Sequence, residues 1–155
     1  MTELSDLLVP EAVVAGMSAA TKKTLFAALG AAAARAYGLD AAEVAERLAA
    51  REKLGSTGFG GGIAIPHGKL EGLKRVLGLF ARLPKPVDFG AVDDLPVDLV
   101  FMLLSPIDAG ADHLKALACV SRRLRDRGFA DKLRGAGSED ALFVMLTGVE
   151  ARDAA

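Results

Sequence analysis

Residues 97–104 read VDLVFMLL, a run in which only Asp98 is polar. A strand with one wet face alternates apolar and polar residues. A near-continuous apolar run of strand length needs cover on both faces, as in the centre of a layered sheet. Two shorter runs, GIAI (62–65) and VLGLFARL (76–83), read as companion strands. Helical patterns lie both before and after these strands, which predicts an α/β layered domain. No shift in composition and no internal repeat divides the chain, so residues 1–155 are expected to form a single domain.

The helices carry their own punctuation. TKKTLFAALGAAAARAYG (21–38) places Leu25, Ala28, Leu29 and Ala32 on one face and stops near Gly38. Asp40 and Glu43 have capping-box spacing and open a second helix, AAEVAERLAAREKL, that ends at Gly55. After Pro106, ADHLKALACVSRRLRDRG predicts an amphipathic helix with Leu114, Leu117, Ala118, Ser121 and Leu124 on its apolar side, closing at Gly128. A last helix begins near Ser138 and runs through EDALFVMLTG. Between Pro84 and Pro96 the chain reads as one turn-rich connection.

The charge balance narrows the partners. Nineteen Lys and Arg against 20 Asp and Glu give a net charge of −1, so neither a nucleic-acid footprint nor an anionic-membrane surface is expected. A protein or small-molecule partner fits better. No stretch is long and apolar enough for membrane insertion, and the acidic N-terminal residues do not read as a signal peptide, which predicts a cytoplasmic protein. The lone Cys119 excludes an intramolecular disulfide and a multi-cysteine zinc site.

Residues 55–69, GSTGFGGGIAIPHGK, hold six glycines and one of the chain's two histidines, directly behind a proline. A nucleotide P-loop would need a glycine where Ile63 stands and Ser or Thr where Leu70 stands. A dinucleotide fingerprint needs its glycines between a strand and a helix, the reverse of the order here. What remains is a tight bend, or a loop whose uncovered amides and Ser56 and Thr57 hydroxyls suit an oxyanion. Pro66 fixes the backbone ahead of His67 and so aims its ring. On these residues alone the imidazole can be a hydrogen-bonded structural group, a metal ligand, a general base or a nucleophile. Two histidines and one cysteine make a poor metal set, and no G-x-S-x-G elbow is present, so neither a metal site nor a serine hydrolase is expected.

REKLGSTGFGGGIAIPHGK (51–69), PVDLVFMLLSP (96–106) and DHLKALACVSRRL (112–124) together resemble the enzyme IIA proteins of the bacterial phosphoenolpyruvate phosphotransferase system, in the fructose and mannitol superfamily, with the greatest likeness to nitrogen-regulatory IIA proteins. The resemblance covers about residues 4–148 and implies a mixed β-sheet flanked by helices on both faces, as in mannitol IIA. It implies that His67 accepts a phosphoryl group from a histidine-phosphocarrier protein, that His113 orients or stabilises it, and that Arg51 balances its charge. The phosphoryl-binding loop would be Ser56, Thr57, Gly58 and Gly60, with no cofactor. One departure is visible: Gly61 stands where members often carry Asn or His.

Phosphoryl transfer mainly asks the protein to position a nucleophile and supply donors, which suits these residues. Three functions follow. The first is a phosphoryl-accepting regulator acting on protein targets; the second is the IIA component of a sugar permease, passing phosphate to a IIB protein; the third is a non-catalytic interaction module. The PHGK continuation and the lack of a fused IIB or membrane domain favour the first. Phe59 and Ile63 are candidates to frame the mouth of the site. Lys69 reads as a solvated residue, and the oligomeric state is left open.

Overall fold

A computed structural model describes residues 2–148. Its centre is the predicted apolar run, lengthened to β6 (Val97–Pro106), in which every residue except Asp98 is buried. Before it come a two-residue strand β1 (Val13–Val14), helices α1 (Lys22–Tyr37) and α2 (Ala41–Glu52), and strands β2 (Gly58–Gly60), β3 (Ile63–Ala64), β4 (His67–Leu70) and β5 (Leu77–Val87). After it come α3 (Gly110–Leu124), α4 (Arg127–Gly135) and α5 (Glu139–Thr147). The strand order is β1-β5-β6-β3-β2, with β4 also pairing β6. β5 is antiparallel to β6, and β2 to β3, whereas β1–β5, β3–β6 and β4–β6 are parallel. The sheet is therefore mixed, as the family resemblance implied.

Helices cover both faces, and the register proves it beside the histidine. Gly68 pairs with Leu104, and a Cβ on Gly68 would sit 3.2 Å from the Cβ of Arg47, so this face meets α2. One residue on, Lys69 pairs with Ser105, whose side chain reaches α3 on the opposite face. Among the described residues no helix is long and apolar enough to cross a membrane.

Local chemistry sets the helix ends. Thr21 caps α1 reciprocally with Thr24, and Gly38 closes it at φ 71. The Asp40 side chain accepts from the Glu43 amide and opens α2. With only residues 38–40 between them, α1 and α2 pack so closely that a Cβ on Gly30 would overlap the Ala41 carbonyl oxygen. Helix propensity alone makes Gly→Ala favourable by about 1 kcal/mol. Overpacking against backbone outweighs it, so Gly30→Ala is expected to lose a net of about 1–2 kcal/mol in urea unfolding. A gain in stability would mean that the two helices separate freely.

Three expectations need correction. β5 continues through Pro84 and Pro86 to Val87, so the turn-rich stretch begins only after it. The β5–β6 register shifts between Arg82 and Val87, and in that irregular stretch prolines cost no ladder donor. The helix expected to close at Gly128 ends at Leu124; Asp126 then caps the Phe129 amide and starts α4. Finally, the buried face of α3 is His113, Ala116, Cys119, Val120 and Leu124, and Leu114 is 66% exposed. Counting apolar residues rotates the helix by one position, because the residue taken inward at its start is a hydrogen-bonded histidine.

Candidate functional site

Three side chains meet at the end of the sheet. Pro66, which has no N–H to give a ladder, separates β3 from β4, and its carbonyl accepts from the Leu103 amide at 3.0 Å. His67 is the first residue of β4 and sits opposite Leu103 on β6. Arg51 is in the last turn of α2, and its Nε donates to His67 Nε2 at 3.2 Å. His113 lies in the first turn of α3, its ring centroid 5.4 Å from that of His67. Strand end, helix end and helix start thus each supply one group.

Their hydrogen bonds define the state of the His67 ring. Nδ1 lies 2.9 Å from the Ile65 carbonyl oxygen, which can only accept, so Nδ1 carries the proton. Arg51 can only donate, so Nε2 carries the lone pair. Half-burial is the largest influence on this ring and holds its pKa below the ordinary value. The Ile65 carbonyl works in the other direction, the Arg51 guanidinium adds to the lowering, and Glu52 opposes it. His113 is also lowered, first by burial and then by the charges of His67 and Lys69.

A stability consequence follows. Above about pH 6.5 both rings are neutral in the folded and the unfolded chain. As pH falls below that, the unfolded chain takes up protons first, because the folded pKa values lie lower. Stability is therefore full above about 6.5 and declines as pH falls toward the folded values. The melting temperature of His67→Ala is expected to decline less steeply over that window than the wild type's. Equal slopes in thermal melts across a pH series would refute the assignment for His67.

The glycine loop differs from the expected oxyanion cradle. Its base is organised by Glu52, whose carboxylate accepts from Lys22 Nζ at 2.8 Å, the Thr57 amide at 3.0 Å and the Thr57 hydroxyl at 2.6 Å. Both Thr57 donors are thus engaged, and the Gly58 amide donates to Ser56 Oγ at 3.1 Å. Gly58 has no room for a side chain beside Phe89 and Ala91. Gly60 adopts φ 108 against Asp93, which accepts from the Gly61 amide at 2.9 Å. Arg134, paired with Asp98, donates to the Gly61 carbonyl at 2.6 Å. Gly58 and Gly60 therefore answer to packing of a β2–β3 hairpin. Ser56 stays half-exposed at its base, and the Arg51 guanidinium donates to the Gly55 carbonyl at 3.1 Å.

Phe59 and Ile63 line a different cavity, of about 610 Å³, with Arg125, Arg127 and Arg134 from the α3–α4 region. Sequence reasoning passed over two residues that matter for the geometry. Glu52, adjacent to Arg51, looks like any helix-end acid. Ser105, fully buried at the end of β6, lies 2.5 Å from His113 Nδ1; a hydroxyl near the end of a strand whose only other polar residue is Asp98 was the available signal.

Comparison with known proteins gives the family. Residues 6–148 match the family described as phosphoenolpyruvate-dependent sugar phosphotransferase system, EIIA 2. A nitrogen regulatory protein of Bradyrhizobium diazoefficiens is 49% identical over 143 residues, which span 92% of this chain and 94% of that one. The crystal structure of nitrogen regulatory protein IIA-Ntr from Neisseria meningitidis superposes with a TM-score of 0.86 at 38% identity, covering 93% of this chain and 99% of that one. Enzyme IIAMTL of Escherichia coli, in its complex with phosphorylated enzyme IIBMTL, superposes at 0.75 with 25% identity, covering 92% and 98%. With nearly the whole chain matched in sequence and in fold, this protein belongs to the EIIA 2 family of the phosphoenolpyruvate-dependent phosphotransferase system.

Proposed function

We propose that this chain is the nitrogen-regulatory type of IIA protein: it accepts a phosphoryl group on His67 from a histidine-phosphocarrier protein in the cytoplasm, and its phosphorylation state regulates protein partners. The observation that carries the reading is the state of the His67 ring, whose proton is held at Nδ1 by Ile65 while Nε2 keeps its lone pair. In the transfer, the P–N bond to the carrier's histidine breaks and its electron pair returns to that ring. A new P–N bond forms from the Nε2 lone pair of His67. The ring keeps its Nδ1 proton and becomes cationic, a charge that the Ile65 carbonyl stabilises. Arg51 releases Nε2 as the phosphorus arrives, and its guanidinium then faces the phosphoryl oxygens, where charge is greatest. His113 stands beside them.

The phosphoryl group itself carries roughly 1.5–2 negative charges. Because the ring keeps its proton, the transfer makes the chain more negative by about one charge and concentrates negative charge at the surface beside His67. On a chain of net charge −1, that is enough for a partner to distinguish the two states at this surface. The likeness to nitrogen regulatory proteins supports this reading over delivery of phosphate to a sugar-specific IIB protein. The lower-identity likeness to a IIA bound to phosphorylated IIB supports the second.

The test is peptide mapping after incubation with purified phosphorylated carrier. One acid-labile adduct is expected, on the fragment containing His67 and attached at Nε2, and it should form equally in excess chelator once the carrier has been charged. An adduct elsewhere, or chelator-dependent transfer reversed by metal, would refute the mechanism. Phosphate passing rapidly onward to a IIB protein, with no partner sensitive to phosphorylation, would favour the second reading.

A further inference from the structure

We propose that Ser105 is a positioning residue that fixes His113 as a neutral hydrogen-bond donor, with its proton on Nε2, the tautomer opposite to that of His67. The inference rests on the phosphoryl-acceptor reading of His67.

Ser105 is fully buried, on the face of β6 that meets α3. Among the described residues its hydroxyl has one partner, His113 Nδ1 at 2.5 Å. A serine hydroxyl can donate or accept, and so can a neutral imidazole nitrogen, so distance alone allows two arrangements. Burial separates them. Were Nδ1–H to donate to Ser105, the hydroxyl proton would be left without an acceptor in an apolar interior, the costly outcome for a buried donor. When Ser105 donates to Nδ1, every buried group is satisfied. Nδ1 is then the acceptor and the ring proton lies on Nε2.

Nε2 of His113 has no hydrogen-bond partner among the described residues. His113 as a residue is only 9% exposed, and its ring stands 5.4 Å, centroid to centroid, from the His67 ring. The free donor therefore belongs to the ring beside the acceptor. Burial first, with the Lys69 ammonium adding to it, holds the pKa of His113 below its ordinary value, and in the neutral ring the tautomer decides which nitrogen can donate. A donor fixed before the reaction needs no reorientation as charge develops on the phosphoryl oxygens. Two neighbouring imidazoles are thus set to opposite tasks by two different neighbours: a backbone carbonyl makes one a nucleophile, and a buried hydroxyl makes the other a donor.

The experiment reads the tautomers in 15N-labelled, unphosphorylated protein at about pH 8, where unperturbed histidines are neutral. Long-range proton–nitrogen correlations are expected to give Nε2–H for His113 and Nδ1–H for His67. In Ser105→Ala, His113 should become a mixture of tautomers while His67 is unchanged. Transfer from the phosphorylated carrier should slow about tenfold, short of the ~10²–10³ typical of deleting a donor outright. An Nδ1–H signal for His113 in the wild type, a pure Nε2–H signal in Ser105→Ala, or an undiminished transfer rate in that variant would each overturn the role of Ser105. Because the wild-type spectrum needs no phosphoryl transfer, failure of the acceptor reading appears separately, as expected tautomers in a protein that takes up no phosphate.

Discussion

His67→Ala is expected to take up no phosphoryl group from the phosphorylated carrier, with its acid-labile label at background. The reason is geometric as well as chemical. The acceptor must offer an unprotonated nitrogen, and His67 Nε2 is the one whose state is dictated by contacts on both sides of its ring, from Ile65 and from Arg51. His113, the other imidazole, does not substitute, because its Nδ1 is closed off by Ser105 in the interior. The variant should remain folded. His67 is half-exposed and its side chain makes two hydrogen bonds, so truncation costs about 1 kcal/mol, or roughly 2–4 °C in melting temperature for a domain of this size. Complete loss of labelling with a near-normal melt separates a lost nucleophile from a lost fold. Undiminished labelling would move the acceptor elsewhere.

Glu52→Ala is expected to give the largest stability loss among polar variants near the site, about 3 kcal/mol in urea unfolding. Its side chain is 6% exposed and accepts from three donors on two segments: the ammonium of Lys22 at the start of α1, and the amide and hydroxyl of Thr57 at the base of the hairpin. Hydrogen bonds to a charged group are worth about 1.5–3 kcal/mol each, and Thr57, itself buried, would be left with two unsatisfied donors. Solvent access at Lys22, which is 31% exposed, recovers part of the loss, so the sum is well below three full bonds. Glu52→Gln keeps one acceptor oxygen and should lose distinctly less. Phosphoryl acceptance should fall in Glu52→Ala even in conditions where the protein is folded, since Thr57 also anchors the Ile65 amide through its own carbonyl at 3.1 Å, and Ile65 holds the ring of His67. A variant as stable and as active as the wild type would remove Glu52 from the architecture of the site.

The parts of this protein that were legible in the sequence are those in which one local rule decides. Gly38, Asp40 and Ser138 mark helix ends because capping is settled within four residues. The central strand is legible because a continuous apolar run has few alternatives. The Pro66–His67 step is legible because proline restricts its neighbours whatever the surroundings. What stayed hidden depends on contacts between distant segments. β1 is two residues long and exists through its pairing with β5. The hairpin glycines read as a cradle, yet Gly58 is set by Phe89 and Ala91 and Gly60 by Asp93, more than 25 residues away. The inward face of α3 was misread because hydrophobicity ranks Leu114 above His113, while His113 turns inward to its hydrogen bond with Ser105 and Leu114 faces out. Arg51, His67 and His113 converge in space, but the resemblance to a family, not their spacing in the sequence, marks them as a set.

The strand pairing also says something about chain entropy. β5 and β6 meet across a short connection, since Val87 pairs with Val97, and that ladder needs little loop closure. β4, which carries the histidine, and β3 just before it meet β6 only after a wide detour: Ile63 pairs with Leu99 and His67 with Leu103, each 36 residues onward, with all of β5 in between. Closure entropy grows with the logarithm of loop length, and parallel pairing offers no tight turn to offset it. His67, the proposed acceptor, is therefore held by one of the least local contacts in the sheet, and a chain that has formed only its β5–β6 hairpin has a central ladder but has not yet brought His67 to it.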